Sequence, residues 1–192
     1  MIHRIIRFIH LAPMVLLAGC QGVMPINARS STDAMTLRDQ GYALLYSVLS
    51  DESKVDKVLL VKNPNPQVAE LLKAIARFAD DGKSKLEAMS KEDPTFNLGN
   101  DGLPEMETRT RDAISSATSR QILFSGGAEF EFNILLAQHQ ALNYITHLAG
   151  TLSDEASRDD RKQYFSQLAE QANVLHARVM DQLKTPYVGQ SK

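Results

Sequence analysis

Apolar residues recur along most of this chain at intervals of three and four, the spacing that gathers them on one face of a helix. Leu37, Leu44, Leu45, Val48, Leu49, Val55, Val58, Leu59 and Leu60 follow it. Thr36 and Asp39 stand ahead of that run at the separation of a capping box, so the pattern predicts a helix from Thr36 to about residue 60. The piece "KNPNPQ" then interrupts. Pro64 cannot continue a helix, whereas Asn65 before Pro66 puts a capping side chain ahead of a proline at the first helical position. A second helix follows on Val68, Leu71, Leu72, Ile75, Ala76, Phe78, Ala79 and Leu86, closing an αα-hairpin. It should end before "EDPTFNLGNDGLP", whose prolines and glycines forbid regular structure.

From Pro104 to about Gly150 the chain again reads helical, but one helix of that length would measure ~70 Å against ~40 Å for its neighbours. Ser125, Gly126 and Gly127 supply a break, predicting a polar helix at about 104–124 and an apolar one at about 128–150. The last helix, starting near Ser153 or Ser157, carries Tyr164, Phe165, Leu168, Ala172, Leu175, Val179 and Leu183 to Lys184, with Pro186 to stop it. No strand pattern competes. The expected fold is all-α, an antiparallel four-helix-type bundle with an additional polar helix, occupying residues 34–186 ahead of a tail at 187–192. Leu72, Ala76 and Ala79 match Leu168, Ala172 and Leu175 in spacing, a likeness that duplicated hairpins or any two core helices would share.

The amino terminus follows a different rule. "MIHRIIR" carries Arg4 and Arg7, and the apolar run "FIHLAPMVLLAGC" ends on Cys20, the single cysteine of the chain. That run is too short to span a bilayer, which takes ~20 apolar residues. A positive flank, a short apolar core and small residues before a cut describe a secretory signal. Leu17, Ala18, Gly19 and Cys20 resemble the lipobox of bacterial lipoproteins. The resemblance implies that residues 1–19 are removed and that the Cys20 thiol carries a diacylglycerol. The stretch after Cys20 is short, polar and without periodicity, so residues 20–33 read as the lipidated cysteine with a flexible tether. Gln21 is not the aspartate that retains such proteins at the inner membrane of enteric bacteria, so the resemblance favours the outer membrane, facing the periplasm.

Cleavage changes the electrostatic picture. Losing Arg4 and Arg7 leaves 19 basic residues against 23 acidic. A chain with no basic surplus is not built for nucleic acid. Past Cys20 there is no thiol for a disulfide, for catalysis or for a metal. Two or more acyl chains, at ~0.8 kcal/mol per buried CH₂, would make the membrane attachment effectively permanent.

Candidate chemistry in the bundle is sparse. Ferritin-like proteins also fold as bundles and place Glu-x-x-His on two facing helices. Here Phe132, Ile134 and Asn173 stand three positions after Glu129, Glu131 and Glu170, and no Glu has His at that spacing. His139, Asn143 and His147 follow at four-residue steps in an otherwise apolar helix. They read either as a polar flank or as core histidines each satisfied by a hydrogen bond, or else as a pocket with Glu129, Glu131 or His176 opposite, able to hold a transition metal or a small ligand. Gly-rich phosphate loops and nucleophile elbows are lacking, so no cofactor and no catalysis are expected. "DESKVDK" and "SDEASRDDRK" interleave signs at helical spacing, the pattern of solvated faces. The loop at about 92–103 carries Phe96 and Leu98, either as a contact surface or as a cap on the bundle's end. The function expected is that of a scaffold or interaction module in the cell envelope, with an envelope protein as partner.

Overall fold

The computed structural model describes residues 31–94, 96–99 and 101–188. The signal, the lipobox from Leu17 to Cys20 and most of the tether lie outside the described residues. Among the described residues there are five α-helices: α1 (Ser31–Glu52), α2 (Pro66–Glu92), α3 (Glu105–Phe124), α4 (Gly127–Glu155) and α5 (Asp159–Val188), with a 3-10 helix, Val55–Leu60, after α1. The fold is all-α, and no strand occurs among the described residues.

Packing follows the apolar stripes. The most extensive contact is α4 against α5, α1 lies on α2 and α4, and α2 completes the bundle against α5. Leu45, Leu49, Leu72, Ile75, Ala79, Leu142, Ile145, Phe165 and Ala172 are fully buried at the centre. α3 rests on α4 and buries only Ile122, which is the expected polar helix applied to the outside of the bundle.

Two boundaries follow the local chemistry as expected. Asn65 caps α2, its side chain accepting from the Val68 amide at 3.0 Å, with Pro66 in the first turn. Between α3 and α4 the chain turns at Ser125 and Gly126, and Gly127 takes a left-handed φ of 55°, which costs a residue without Cβ little. Lys62 fastens this turn by donating to the Ser125 carbonyl at 2.6 Å.

Elsewhere the structure corrects the sequence reading. α1 is already helical at Ser31, so Thr36 lies inside it rather than at its cap, and the helix takes in the end of the expected tether. α1 then stops at Glu52, well before residue 60. The Ser53 hydroxyl bonds back to the Ser50 carbonyl at 2.9 Å, competing with the backbone ladder, and the chain tightens into the 3-10 helix. Leu60 consequently projects into solvent rather than extending the core stripe. α4 continues through Ser153 to Glu155, Ser157 precedes α5, and Pro186 falls in the last turn of α5 instead of ending it.

The 92–103 loop is also resolved between its two readings. Phe96 is buried, stacked on Tyr42 at 3.9 Å between ring centres, with the Arg161 guanidinium 5.0 Å from its centroid. Leu98 is half-buried against the same core. An aromatic ring so enclosed cannot serve as a contact surface, and the loop is a plug over one end of the bundle. Arg161 pairs with Asp93 at the foot of that plug, so part of "SDEASRDDRK" is packed rather than solvated.

Candidate functional site

The five residues considered for a metal pocket do not converge. Glu129 is exposed, and Glu131 sits near the start of α4, where its carboxylate accepts from the Asn65 amide at 2.6 Å and the Asn65 side chain at 2.7 Å. It therefore braces the α2 cap. His139, eight residues further along and ~12 Å away, meets His176 of α5. Their ring nitrogens, His176 Nε2 and His139 Nδ1, lie 2.7 Å apart and the rings stack at 4.7 Å. Burial first, then the nearby His139 and His147, holds His176 below its ordinary value of 6.5. His147 itself is exposed. Among the described residues no group of three or more His, Cys, Asp or Glu is arranged to hold a metal ion. Helical rise separates the carboxylates from the imidazoles, which corrects the proposed constellation of Glu129, Glu131, His139, His147 and His176.

A different place collects polar groups that the fold leaves unused. A cleft of about 630 Å³ opens between the end of α1, the 3-10 helix, α3 and α4. Its walls follow from helix periods. In a 3-10 helix residues three apart eclipse, so Val55 and Val58, with Val61 just beyond, form one row along the cleft. On α3 the lining residues are Ser115, Thr118, Ser119, Ile122 and Leu123, and on α4 they are Ile134, Ala137, Gln138, Gln140 and Ala141. Ser115, Thr118, Ser119 and Ile122, like Ile134, Ala137, Gln138 and Ala141, stand at i, i+3, i+4 and i+7, the spacing of one helical face.

Glu52, the last residue of α1, and Gln138 carry the unusual chemistry. Glu52 continues the stripe of Leu45 and Leu49, so its side chain is drawn inward although its sequence neighbours are polar. Burial pushes its carboxyl from 4.5 up to about 7; the Gln138 amide, bonded to it, acts in the opposite direction, and Asp51 adds to the rise. Glu52 Oε2 and Gln138 Oε1 are both buried without a hydrogen-bond partner, as is Asn133 Nδ2 nearby on α4. Asn133 is otherwise tied to α3, its Oδ1 accepting from Gln121 at 3.0 Å. "DESKVDK" is therefore not uniformly a solvated face: Glu52 is its inward member, and the four- and three-residue steps from Leu45 to Leu49 to Glu52 are the signal that finds it.

The outer lip of the same cleft is apolar and wet. Phe124 is 87% exposed, Leu60 85%, Val61 70% and Leu123 50%. Val61 and Leu123 line the cleft, and their chain neighbours Leu60 and Phe124 continue the surface outward. Comparison of the chain with protein-family models, curated proteins and solved structures found no match. Among the described residues no helix is long and apolar enough to cross a membrane.

Proposed function

We propose that the protein is a lipid-anchored interaction module of the bacterial cell envelope, held at a membrane through Cys20 and engaging a partner protein with the apolar end of its bundle. The observation that carries this reading is the concentration of Leu60, Val61, Leu123 and Phe124 at one end, each half or more exposed. Contiguous apolar surface of that kind marks contact sites in soluble domains. The polypeptide arrives from Cys20 at the start of α1, and the 22 residues of that helix separate its two ends by ~33 Å. Anchor and contact surface therefore belong to opposite ends of α1, which leaves the apolar end open to a partner protein. An outer-membrane location facing the periplasm fits Gln21 after the lipidated cysteine.

The lipid half of the proposal is tested by Cys20→Ala in cells. The variant should leave the membrane fraction, or retain residues 1–19 as an uncut precursor. A variant that fractionates and migrates like the parent contradicts it.

A further inference from the structure

The cleft shares Val61 and Leu123 with the apolar end, and its inner part has the makings of a binding site that does not depend on the anchor. At its foot lie two buried acceptors with no partner, Glu52 Oε2 and Gln138 Oε1. Their roles are fixed by each other. Gln138 bonds to the Glu52 carboxylate through its amide NH₂, which leaves its own oxygen unused. Once Glu52 is ionised, both orphans accept and neither donates.

Among the described residues no cation is placed against them. The charged residues lining the cleft are Asp51, Glu52, Lys54 and Lys57, all from α1 and the segment after it. Lys54 and Lys57 are exposed, and among the described residues the one other charge that acts on the Glu52 carboxyl is that of Asp51, which opposes ionisation. α3 and α4 line the cleft with uncharged side chains alone. A buried carboxylate in this position lacks what normally compensates it, a charge-assisted donor.

Shape and chemistry narrow what that donor is. Acceptors on two different side chains suit the tetrahedral donors of an ammonium group. The planar fork of a guanidinium matches both oxygens of one carboxylate, and one of those is already engaged by Gln138. The valine row opposite Ile122, Ile134 and Ala137 forms a channel for a methylene stem. Ser115, Thr118 and Ser119 offer hydroxyl oxygens for a third donor. We infer that the cleft binds a primary ammonium on an aliphatic stem, the ammonium donating to Glu52 Oε2 and Gln138 Oε1 and the stem lying along the valine row. A lysine side chain of a partner and a free alkylamine share this chemistry.

The test uses the full chain in detergent at pH 8, where Glu52 is ionised, with two matched pairs of probes followed by calorimetry and methyl NMR. n-Hexylamine is compared with 1-hexanol, and the blocked tripeptide Ac-Ala-Lys-Ala-NH₂ with Ac-Ala-Gln-Ala-NH₂. The cationic member of at least one pair should bind about tenfold more tightly, the worth of one charge-assisted hydrogen bond. The methyl signals of Val58, Ile122 and Ile134 should shift with it. A stronger response to the peptide assigns the ammonium to a protein lysine, and a stronger response to hexylamine assigns it to a free amine. Glu52→Gln, checked for helical content, should erase the preference. Equal binding of cation and neutral probe in both pairs overturns the inference. So does a preference that survives Glu52→Gln, or one whose methyl shifts fall outside the cleft.

Discussion

Replacing Glu52 by Gln should stabilise the protein at pH 8.5 and do so progressively less as the pH falls. Its carboxyl stands at about 7 in the folded chain against an ordinary 4.5. Between those two values the unfolded chain has released the proton and the folded chain still holds it. The unfolded state therefore binds fewer protons, and stability falls as pH rises. Below 4.5 both states are protonated and the effect vanishes, whereas above about 7 both are ionised and the loss has reached its full size. At 1.36 kcal/mol per pKa unit the loss is ~3 kcal/mol. Gln keeps the shape and the hydrogen bond to Gln138 but cannot ionise, so the variant lacks the slope. Urea unfolding followed by circular dichroism, on parent and variant from pH 4.5 to 8.5, isolates Glu52, because every other titrating group cancels in the difference. The gap should widen toward ~3 kcal/mol in favour of Glu52→Gln at the alkaline end. A difference that stays constant across the range means that the carboxyl titrates as an exposed one, and the account of the cleft fails with it.

Six further substitutions probe other parts of the fold. Phe96→Ala removes a buried ring stacked on Tyr42 and should cost ~3–5 kcal/mol in chemical denaturation; a loss below 1 kcal/mol means the loop does not plug the bundle. Leu72→Ala and Leu168→Ala truncate buried positions on α2 and α5 and should each cost ~2–5 kcal/mol, with near-neutral values contradicting the bundle core. Asn65→Ala deletes the α2 cap together with the bond to Glu131 and should cost ~1–2 kcal/mol, and in a Glu131→Ala background the loss should shrink. His139→Gln breaks the 2.7 Å contact with His176 and should lower the unfolding free energy, whereas His147→Gln, on an exposed residue, should leave it within ~0.5 kcal/mol of the parent. Matched effects of the two histidine changes would contradict the geometry of the α4–α5 seam.

The sequence made the helices legible where local chemistry decides their ends. Asn65 and Pro66 fix the start of α2 because a side-chain acceptor and a missing amide act within one turn. The glycines after Ser125 separate α3 from α4 for an equally local reason. Boundaries set by packing were not legible. The apolar residues at 55, 58, 59 and 60 continue a helical period, yet the chain tightens after Glu52, and a 3.6-residue period does not distinguish that from a continuing helix.

The candidate site was harder to read, because its main residue looks like surface. Glu52 sits among Asp51, Ser53 and Lys54, and a charge-pattern reading places all of them in solvent. Its position one step beyond Leu45 and Leu49 outweighs that neighbourhood once α1 is packed. Gln138 is similarly hidden inside the apolar stripe of α4. The histidines were conspicuous by composition, but only His139 and His176 meet, since contact between helices depends on register across the α4–α5 seam. The aromatic plug at Phe96 was visible as an apolar residue in a turn-rich loop, and its burial is set by Tyr42 and Arg161, which are distant in sequence.

The central claim is that the apolar end of the bundle meets a partner protein in the envelope. A photo-crosslinking amino acid in place of Phe124, in otherwise intact cells, tests it most directly, with the same residue in place of the exposed Arg77 of α2 as control. Irradiation should give one discrete higher-mass adduct from position 124, in the membrane fraction, and none from position 77. No adduct at 124, or the same smear of adducts from both positions, contradicts the account.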